Sequence, residues 1–348
     1  MAATLVIRPE KLGDLVVATP VFRAFKESFP RDELHVLTDN LHASVIAKDP
    51  HVDRIIPIDW RGRRRGQHLA WREILRLLSG TNYRRAAILY TNCDGWNWLC
   101  GRLGIRHVAQ LGGTACALLR RHRMVLRKGY EDGRHFSELY LGVAAALGAT
   151  TSSSLPVLYI DADEVDRLRT RFEISNSRLR VLLHPFGLTT YANFSLPAYV
   201  RLAQELASKL DAEVYVLGTK TEANLWPEVD DRRIRRDWLG TLTLREVLVA
   251  AKLVDLAIGG SSGIIHSAAA AGTPTIGLYC PSGNHVTAWR PLGSAATVLC
   301  VPPQLCRRMT RVNSACNPNG ICDISFAISA TSVIGAAEEL LAACARPR

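Results

Sequence analysis

The chain has no long hydrophobic run: none of its 348 residues lies in an uninterrupted apolar stretch of about 18 residues, which a transmembrane helix would need. Its N-terminal residues also lack a basic segment followed by an apolar one, so we expect no secretory signal. The nine cysteines form no CxxC pair and are odd in number, which is typical of reduced thiols rather than of a disulfide framework. These absences predict a cytoplasmic protein.

Only one group of cysteines is clustered in the sequence, namely Cys306, Cys316 and Cys322. Thiolates that are close in the sequence can bind a metal ion, but the irregular spacing of these three matches no standard zinc motif. A metal site and incidental or structural thiols therefore both remain open for this trio.

The net charge of +11 comes with no RNP-like aromatic motif, no zinc finger and no helix-turn-helix pattern, so nucleic acid is a weak candidate partner. The excess charge lies in two loops, which contain Arg61, Arg63, Arg64 and Arg65, and Arg120, Arg121, Arg123, Arg127 and Lys128. Such patches attract the phosphates of an anionic lipid or a phosphorylated glycan. The alternative is a solvated basic surface.

Strands and helices alternate along the chain, and the alternation restarts after residues 149–156, ATTSSSLP, which read as a linker. With 48% hydrophobic residues the chain can fill two cores. We therefore predict an α/β protein with two Rossmann-like, doubly wound domains, 1–155 and 156–348, facing across a cleft. The last helix, predicted over 332–343, could return to the N-terminal domain.

Residues 255–279, DLAIGGSSGIIHSAAAAGTPTIGLY, predict a strand, a glycine- and serine-rich turn, a helix over 264–271 and a second strand. Ser261, Ser262 and Gly263 let a ligand approach the backbone, and the helix N-terminus favours a phosphate. His266 could donate a hydrogen bond to that phosphate or satisfy a buried carbonyl. An ordinary packing turn is the alternative, since the full GxGxxG and GxxxxGK[ST] spacings are absent.

Three further loops follow predicted strands, where α/β proteins bind ligands. In the first, RPEKLGD places Asp14 in the opening helical turn, as a base for a hydroxyl proton or as a simple helix carboxylate. In the second, Thr189 and Thr190 offer hydroxyls to a phosphate. In the third, Glu222 could bind a ribose diol or only cap a helix. A serine hydrolase is disfavoured, since GGSSG is not GxSxG.

Taken together, these segments resemble glycosyltransferase family 9, the ADP-heptose:lipopolysaccharide heptosyltransferases. The resemblance begins with LVIRPEKLGDLVVATPVFRAF, in which Arg8, Gly13, Asp14, Thr19 and Pro20 stand in the family's places. It continues through HFSELYLGVAAALG, LLHPFG and LGTKTE, and is strong again over 238–293. It covers nearly the whole chain in order, and is loose only after Cys300.

The resemblance implies a GT-B fold and an inverting, metal-independent transfer that uses no cofactor. The expected donor is ADP-L-glycero-D-manno-heptose, bound by the C-terminal domain, and the acceptor is a lipopolysaccharide core or another anionic, lipid-linked glycan at the cytoplasmic face of the inner membrane. Asp14 would be the base. The donor would contact Thr189, Thr190, Glu222, Leu242, Ser261, Ser262, Gly263 and His266. Phosphate or acceptor contacts are expected from Arg8, Lys11, Arg61, Arg63 and Arg64.

The chain departs from the family pattern at two positions. Ala192 stands where the family has a lysine beside the donor diphosphate, and Ser261 replaces an aspartate. Lys11, Lys220 and Arg290 are candidate replacements for the missing cation. The departures leave open a different nucleotide sugar, or a homologue that binds such a donor without turning it over.

Overall fold

The computed structural model describes residues 2–60, 71–89, 94–112, 118, 122–125, 133–187, 192–281, 285–305 and 322–345. The chain divides into two compact units, Met1–Tyr159 and Ile160–Arg348. The assignment of the acceptor to one unit and the donor to the other stays a prediction. None of the helices within the described ranges is long and apolar enough to cross a membrane.

The first unit alternates strands with helices. Its strands are β1 Ala3–Ile7, β2 Glu33–Asp39, β3 Arg54–Ile58, β4 Tyr83–Ile88, β5 His107–Leu111 and β6 Arg123–Val125. Its helices are α1 Leu12–Val17, α2 Thr19–Ser28, the 3-10 helix Ala43–Ile46, α3 Trp71–Leu78, α4 Asp94–Arg102 and α5 Phe136–Ala146.

The second unit repeats this alternation. Its strands are β7 Arg180–His184, β8 Ala192–Asn193, β9 Glu213–Val216, β10 Ile234–Arg235, β11 Leu256–Gly260, β12 Thr275–Tyr279, β13 Ala296–Cys300 and β14 Cys322–Asp323. Its helices are α6 Ala162–Arg171, α7 Leu196–Lys209, α8 Lys220–Ala223, α9 Leu244–Leu253, α10 Gly263–Ala270, α11 His285–Trp289, the 3-10 helix Pro303–Leu305 and α12 Ala330–Ala345.

Both units contain a six-stranded, fully parallel sheet of the same topology. The strand order is β3-β2-β1-β4-β5-β6 in the first and β10-β9-β7-β11-β12-β13 in the second, while β8 pairs separately with β14. The order reverses direction between β1 and β4, and again between β7 and β11. Such switch points open a crevice at the carboxyl ends of the strands, where α/β proteins bind ligands. The predicted pair of doubly wound domains is confirmed.

The cores form around mainly apolar strands that are buried along their whole length, as expected for a sheet covered on both faces. Every residue of β1, β11 and β12 is buried. Helices cover these strands with apolar faces; α12, for example, contributes Val333, Ile334 and Ala337 to the core of the second unit.

Most predicted elements are present, with three differences. The apolar pattern of residues 15–28 predicts a single helix, but the structure contains two, because Thr19 and Pro20 open a new helix after Ala18. The linker 149–156 has no regular structure, yet it is hydrogen bonded to α2, with Thr150 N–H donating to Ser28 Oγ at 2.9 Å. The sequence prediction did not include the helices α4, α6 and α11 or the strands β5, β6, β8, β10, β13 and β14.

Candidate functional site

The first switch point is bridged by a buried arginine. Arg8 follows β1 directly and is 4% exposed, and its Nη1 donates to the carbonyl of Leu89, just beyond β4, at 3.0 Å. Its Nη2 forms an ion pair with Oδ1 of Asp14. Burial is the largest single effect and opposes the guanidinium charge, but Asp14, Tyr140 and Glu10 together outweigh it and raise the pKa of Arg8 above its ordinary value. Arg8 therefore stays charged and holds Asp14 at the carboxyl end of β1.

Asp14 lies in the first turn of α1, as predicted, but it is more than a helix-terminal carboxylate. The hydroxyl of Tyr140, from α5, donates to the same Oδ1 at 3.1 Å. Among the described residues, both side-chain donors to Asp14 thus reach one oxygen, and Oδ2 receives neither. The arrangement orients the carboxylate through one oxygen and leaves the other to accept a proton.

The loop before α1 is strained. Lys11 precedes the helix with φ 47° and ψ 134°, a backbone conformation that non-glycine residues rarely adopt. Strain of this kind persists only where surrounding contacts impose it, and it is concentrated at functional sites. The side chain of Lys11 is exposed, whereas the charge of Arg8 is paired internally. This contrast favours Lys11 over Arg8 as a direct phosphate contact.

The second switch point is also bridged by side chains. His184 ends β7, and its Nδ1 lies 3.2 Å from Oγ of Ser262, which follows β11. Ser262 is the N-cap of α10, where its Oγ accepts from the N–H of Ile265 at 3.4 Å. Gly259 permits this approach, because a Cβ there would lie 2.9 Å from the carbonyl oxygen of His184. The strand, the turn and the predicted helix start are therefore confirmed.

His184 makes the second unit sensitive to acid. Burial lowers its pKa to about 4, although Glu222 acts in the opposite direction. Since an unfolded histidine titrates near pH 6.5, the unfolded chain gains this proton first as the pH falls. We expect this group to remove about 2 kcal/mol from the free energy of unfolding between pH 7 and pH 5.

Urea unfolding at these two pH values, for the wild type and for His184→Gln, measures this contribution. The variant should lose about 2 kcal/mol less than the wild type on acidification, because its side chain does not titrate. Equal losses in the two proteins would contradict the assignment.

The remaining residues of the glycine turn are tied to the neighbouring strand. Ser261 hydrogen bonds Tyr279 at the end of β12, and the Tyr279 hydroxyl donates to the carbonyl of Trp289 at 2.6 Å. His266 is buried in α10, with its ring 6.1 Å from that of Trp289. The serine that replaces the family's aspartate thus takes part in this packing.

Glu222 occupies the capping position that the sequence left as an alternative. The N–H of Thr219 donates to its Oε2 at 2.7 Å, and Thr219 Oγ1 accepts from its N–H at 3.3 Å. Glu222 also lines a cavity of about 400 Å³ together with Phe186, Phe194, Leu225 and Asp323. Capping through one oxygen does not exclude a ligand at the other, so the ribose contact stays a prediction.

Leu242 is half-buried just before α9 and packs against the core between that helix and the sheet. Nearby, Gly240 has φ +71°, and a Cβ there would lie 2.6 Å from the Cα of Lys220. This close approach sets the chain before α9 directly against α8. The contact between adenine and the backbone around Leu242 stays a prediction.

Several predicted residues lie outside the described ranges: Arg61, Arg63 and Arg64 of the first basic loop, Thr189 and Thr190 of the second ligand loop, and Cys306 and Cys316. Ala192 starts the short strand β8, and Cys322 starts β14. Within the described ranges, no three His, Cys, Asp or Glu side chains are grouped so that they could hold a metal ion. The question of a metal at the cysteine trio stays open.

Sequence reasoning did not identify Tyr140 and His184 as partners of the predicted site residues. The contact between Tyr140 and Asp14 joins residues 126 positions apart, and that between His184 and Ser262 joins residues 78 apart. One signal was available for His184: a polar residue at the carboxyl end of an apolar strand, where ligands bind. No pattern in the sequence around Tyr140 distinguishes it from a tyrosine that only packs in the core.

Comparison with solved structures establishes the fold. The crystal structure of a glycosyltransferase family 9 protein from Veillonella parvula has a TM-score of 0.79 at 18% identity, covering 98% of this chain and 97% of that one. E. coli ADP-heptose lipopolysaccharide heptosyltransferase II has a TM-score of 0.72 at 19% identity, covering 99% and 100%. Both cover nearly the whole chain, so the predicted GT-B fold is confirmed.

Sequence comparison adds the family. A Haemophilus influenzae protein named as a candidate glycosyltransferase is 24% identical over 310 residues, 84% of this chain and 86% of its own. The family model "Glycosyltransferase family 9 (heptosyltransferase)" matches residues 142–316, half of the chain. The protein is therefore a glycosyltransferase, and the chain belongs to glycosyltransferase family 9.

Proposed function

We propose that the protein transfers a heptose from ADP-L-glycero-D-manno-heptose to an anionic, lipid-linked glycan of the lipopolysaccharide core type, with inversion at the anomeric carbon. The observation that carries the proposal is the carboxylate of Asp14 at the first switch point, held through one oxygen by Arg8 and Tyr140. Family membership supplies the reaction class, and the heptosyltransferase from E. coli suggests the donor.

In this proposal Asp14 is the general base. Its Oδ2 accepts the proton of an acceptor hydroxyl, and the hydroxyl oxygen attacks the anomeric carbon of the donor. The bond from that carbon to the diphosphate oxygen breaks, and ADP leaves with the electron pair. A single displacement of this kind inverts the anomeric configuration. The ion pair with Arg8 and the hydrogen bond from Tyr140 hold the carboxylate in place for this transfer.

The donor would be bound by the second unit. The first amides of α10 lack intrahelical partners and lie at the positive end of the helix dipole, so they suit the diphosphate. Ser262, Gly263 and His266 surround that helix start, and Glu222 would bind the ribose diol. The leaving-group charge would then be met by N–H groups and the dipole, which supports transfer without metal or cofactor.

The acceptor would be bound beside Asp14 by the first unit. Lys11 is exposed there, and the sequence of the same unit contains three further candidate cations, Arg61, Arg63 and Arg64. Positive groups of this kind attract phosphorylated glycans and anionic lipid headgroups. We therefore propose peripheral contact with the cytoplasmic face of the inner membrane.

A thermal-shift comparison of ADP-heptose with ADP-glucose, GDP-mannose, UDP-glucose and dTDP-glucose tests the donor. A ligand that binds only the folded protein stabilises it by about 2.7 kcal/mol at a hundred times its Kd. We expect the largest increase in Tm from ADP-heptose, a smaller one from ADP-glucose and little from the other three. A larger shift from a GDP-, UDP- or dTDP-sugar would contradict the proposed donor.

Two glutamate variants test the role of Glu222 in the same assay. Glu222 and Glu246 hold equivalent capping-box positions, with N–H to Oε2 distances of 2.7 and 2.8 Å from Thr219 and Thr243. Glutamine preserves such a cap. Glu222→Gln should weaken the binding of ADP-heptose about tenfold, because it removes a charged hydrogen-bond acceptor. Glu246→Gln should leave that binding unchanged.

The replacements at Ala192 and Ser261 favour one alternative, a protein that binds a nucleotide sugar without transferring it. Calorimetric binding of ADP-heptose with no turnover on lipopolysaccharide-core acceptors would support this alternative. Transfer to any of those acceptors would exclude it.

A further inference from the structure

We infer that Tyr140 is the positioning residue of the base: its hydroxyl and the guanidinium of Arg8 together fix Asp14 through Oδ1, so that Oδ2 is the oxygen that takes the proton. The inference rests on the proposed role of Asp14 and extends it to a residue on another element. It concerns how the carboxylate is oriented, not a group that touches the substrate.

Tyr140 is itself held rigidly. It is 1% exposed, and its ring lies 5.8 Å from that of Phe136 and 5.6 Å from the guanidinium of Arg8. The hydroxyl donates to Asp14 Oδ1 at 3.1 Å. A phenol placed in this way can deliver its hydrogen in only a narrow range of directions.

The helix that carries Tyr140 is fixed at its start. His135 caps α5 through Nδ1, which accepts from the N–H of Ser137 at 3.1 Å, while Glu138 Oε2 accepts from the N–H of His135 at 3.3 Å. The hydroxyl of Ser137 donates to the carbonyl of Ser154 at 3.2 Å. The helix also packs against α2, β5 and β6. The hydroxyl therefore has a position determined by the fold rather than by the flexibility of a loop.

The charges around Asp14 keep this hydroxyl a donor. Burial is the main reason that the pKa of Tyr140 lies well above its ordinary value, and the nearby carboxylates of Asp14 and Glu10 act in the same direction against Arg8. Glu10, in the loop before α1, also acts on Arg8. The phenol thus stays protonated at every pH at which a carboxylate is a useful base.

Tyr140→Phe removes the donor while retaining the buried ring. A carboxylate that loses a hydrogen bond to its charged form becomes easier to protonate, so the acid limb of the kcat profile should move to higher pH. With ADP-heptose and a truncated lipopolysaccharide core acceptor, we expect kcat to fall about tenfold, KM for ADP-heptose to stay the same and the acid limb of kcat to move up by about one pH unit.

Tyr83→Phe is the matched control. Tyr83 is also buried in the first unit, and its hydroxyl bonds a side chain, Nδ1 of His35, at 2.9 Å. This variant should lose stability to a similar extent without moving the acid limb. A loss of activity caused only by weakened packing would affect both variants alike.

NMR titration of the free protein, labelled with ¹³Cγ-aspartate and assigned by comparison with Asp14→Asn, measures the Asp14 carboxyl without substrate. A carboxyl pKa that rises in Tyr140→Phe supports positioning, and an unchanged one overturns it, whether or not transfer is observed. An active Asp14→Asn enzyme would instead overturn the proposed base. The two failures are therefore distinguishable.

Discussion

Asp14→Asn should lower kcat by about 10²- to 10⁴-fold, the range that a positioned general base contributes. The amide has the same shape but cannot take the hydroxyl proton. Donor binding should persist, because the residues proposed to hold the nucleotide lie in the other compact unit. The measurement is steady-state transfer from ADP-heptose, with calorimetric ADP binding as the check on folding.

Asp39→Asn provides the control for loss of a buried carboxylate near a strand end. Asp39 ends β2, and its two oxygens accept from the N–H groups of Leu41 and Trp60 at 3.0 and 3.1 Å. Its replacement should reduce stability and leave kcat within about threefold of the wild type, as expected for a group with no part in the chemistry. Turnover by Asp14→Asn close to that of Asp39→Asn would refute the base.

Arg8→Met should reduce the free energy of unfolding by about 3–5 kcal/mol, the usual result of removing one partner from a buried ion pair. Two effects combine here. Of its side-chain donors among the described residues, the carboxylate of Asp14 keeps the neutral hydroxyl of Tyr140 alone, and the carbonyl of Leu89 loses its bond from Nη1. Because Leu89 lies just beyond β4, the contact between the two central strands is weakened at the switch point.

Urea unfolding of Arg8→Met beside Arg178→Met separates this effect from loss of charge alone. Arg178 pairs with Asp211 at 3.2 Å, but their side chains are 43% and 68% exposed, so we expect a cost below about 1 kcal/mol. Adding Asp14→Leu to Arg8→Met should recover part of the stability, because the uncompensated charge is removed. A cost for Arg8→Met no larger than for Arg178→Met would show that the pair contributes little.

The central strands β1, β7, β11 and β12 were predictable because they are almost entirely buried and read as short apolar runs. The glycine turn was predictable from local sequence, because small residues and a serine cap precede α10. The break between α1 and α2 could also have been predicted, because Thr19 and Pro20 are typical of a helix start. The long apolar pattern indicated a single helix instead. β6 has three residues, too few for periodicity to reveal.

The partners of the site residues were not predictable, because these contacts join elements that are far apart in the sequence. Asp14 could be placed in a helical turn from local sequence, but its pairing with Arg8 and Tyr140 depends on where α5 packs. The capping role of Glu222 was predictable from Thr219, three residues earlier. Whether the same carboxylate also binds ribose depends on a ligand, which no local pattern reveals.

Transfer itself tests the central claim most directly. Purified protein is incubated with ADP-heptose or ADP-glucose and a truncated lipopolysaccharide core acceptor, and the acceptor is analysed by mass spectrometry and by NMR of the new anomeric centre. We predict that one heptose is added from ADP-heptose, that its anomeric configuration is opposite to that of the donor, and that chelation of metal ions leaves the rate unchanged. Retention of configuration, or preferential transfer from ADP-glucose, would contradict the account.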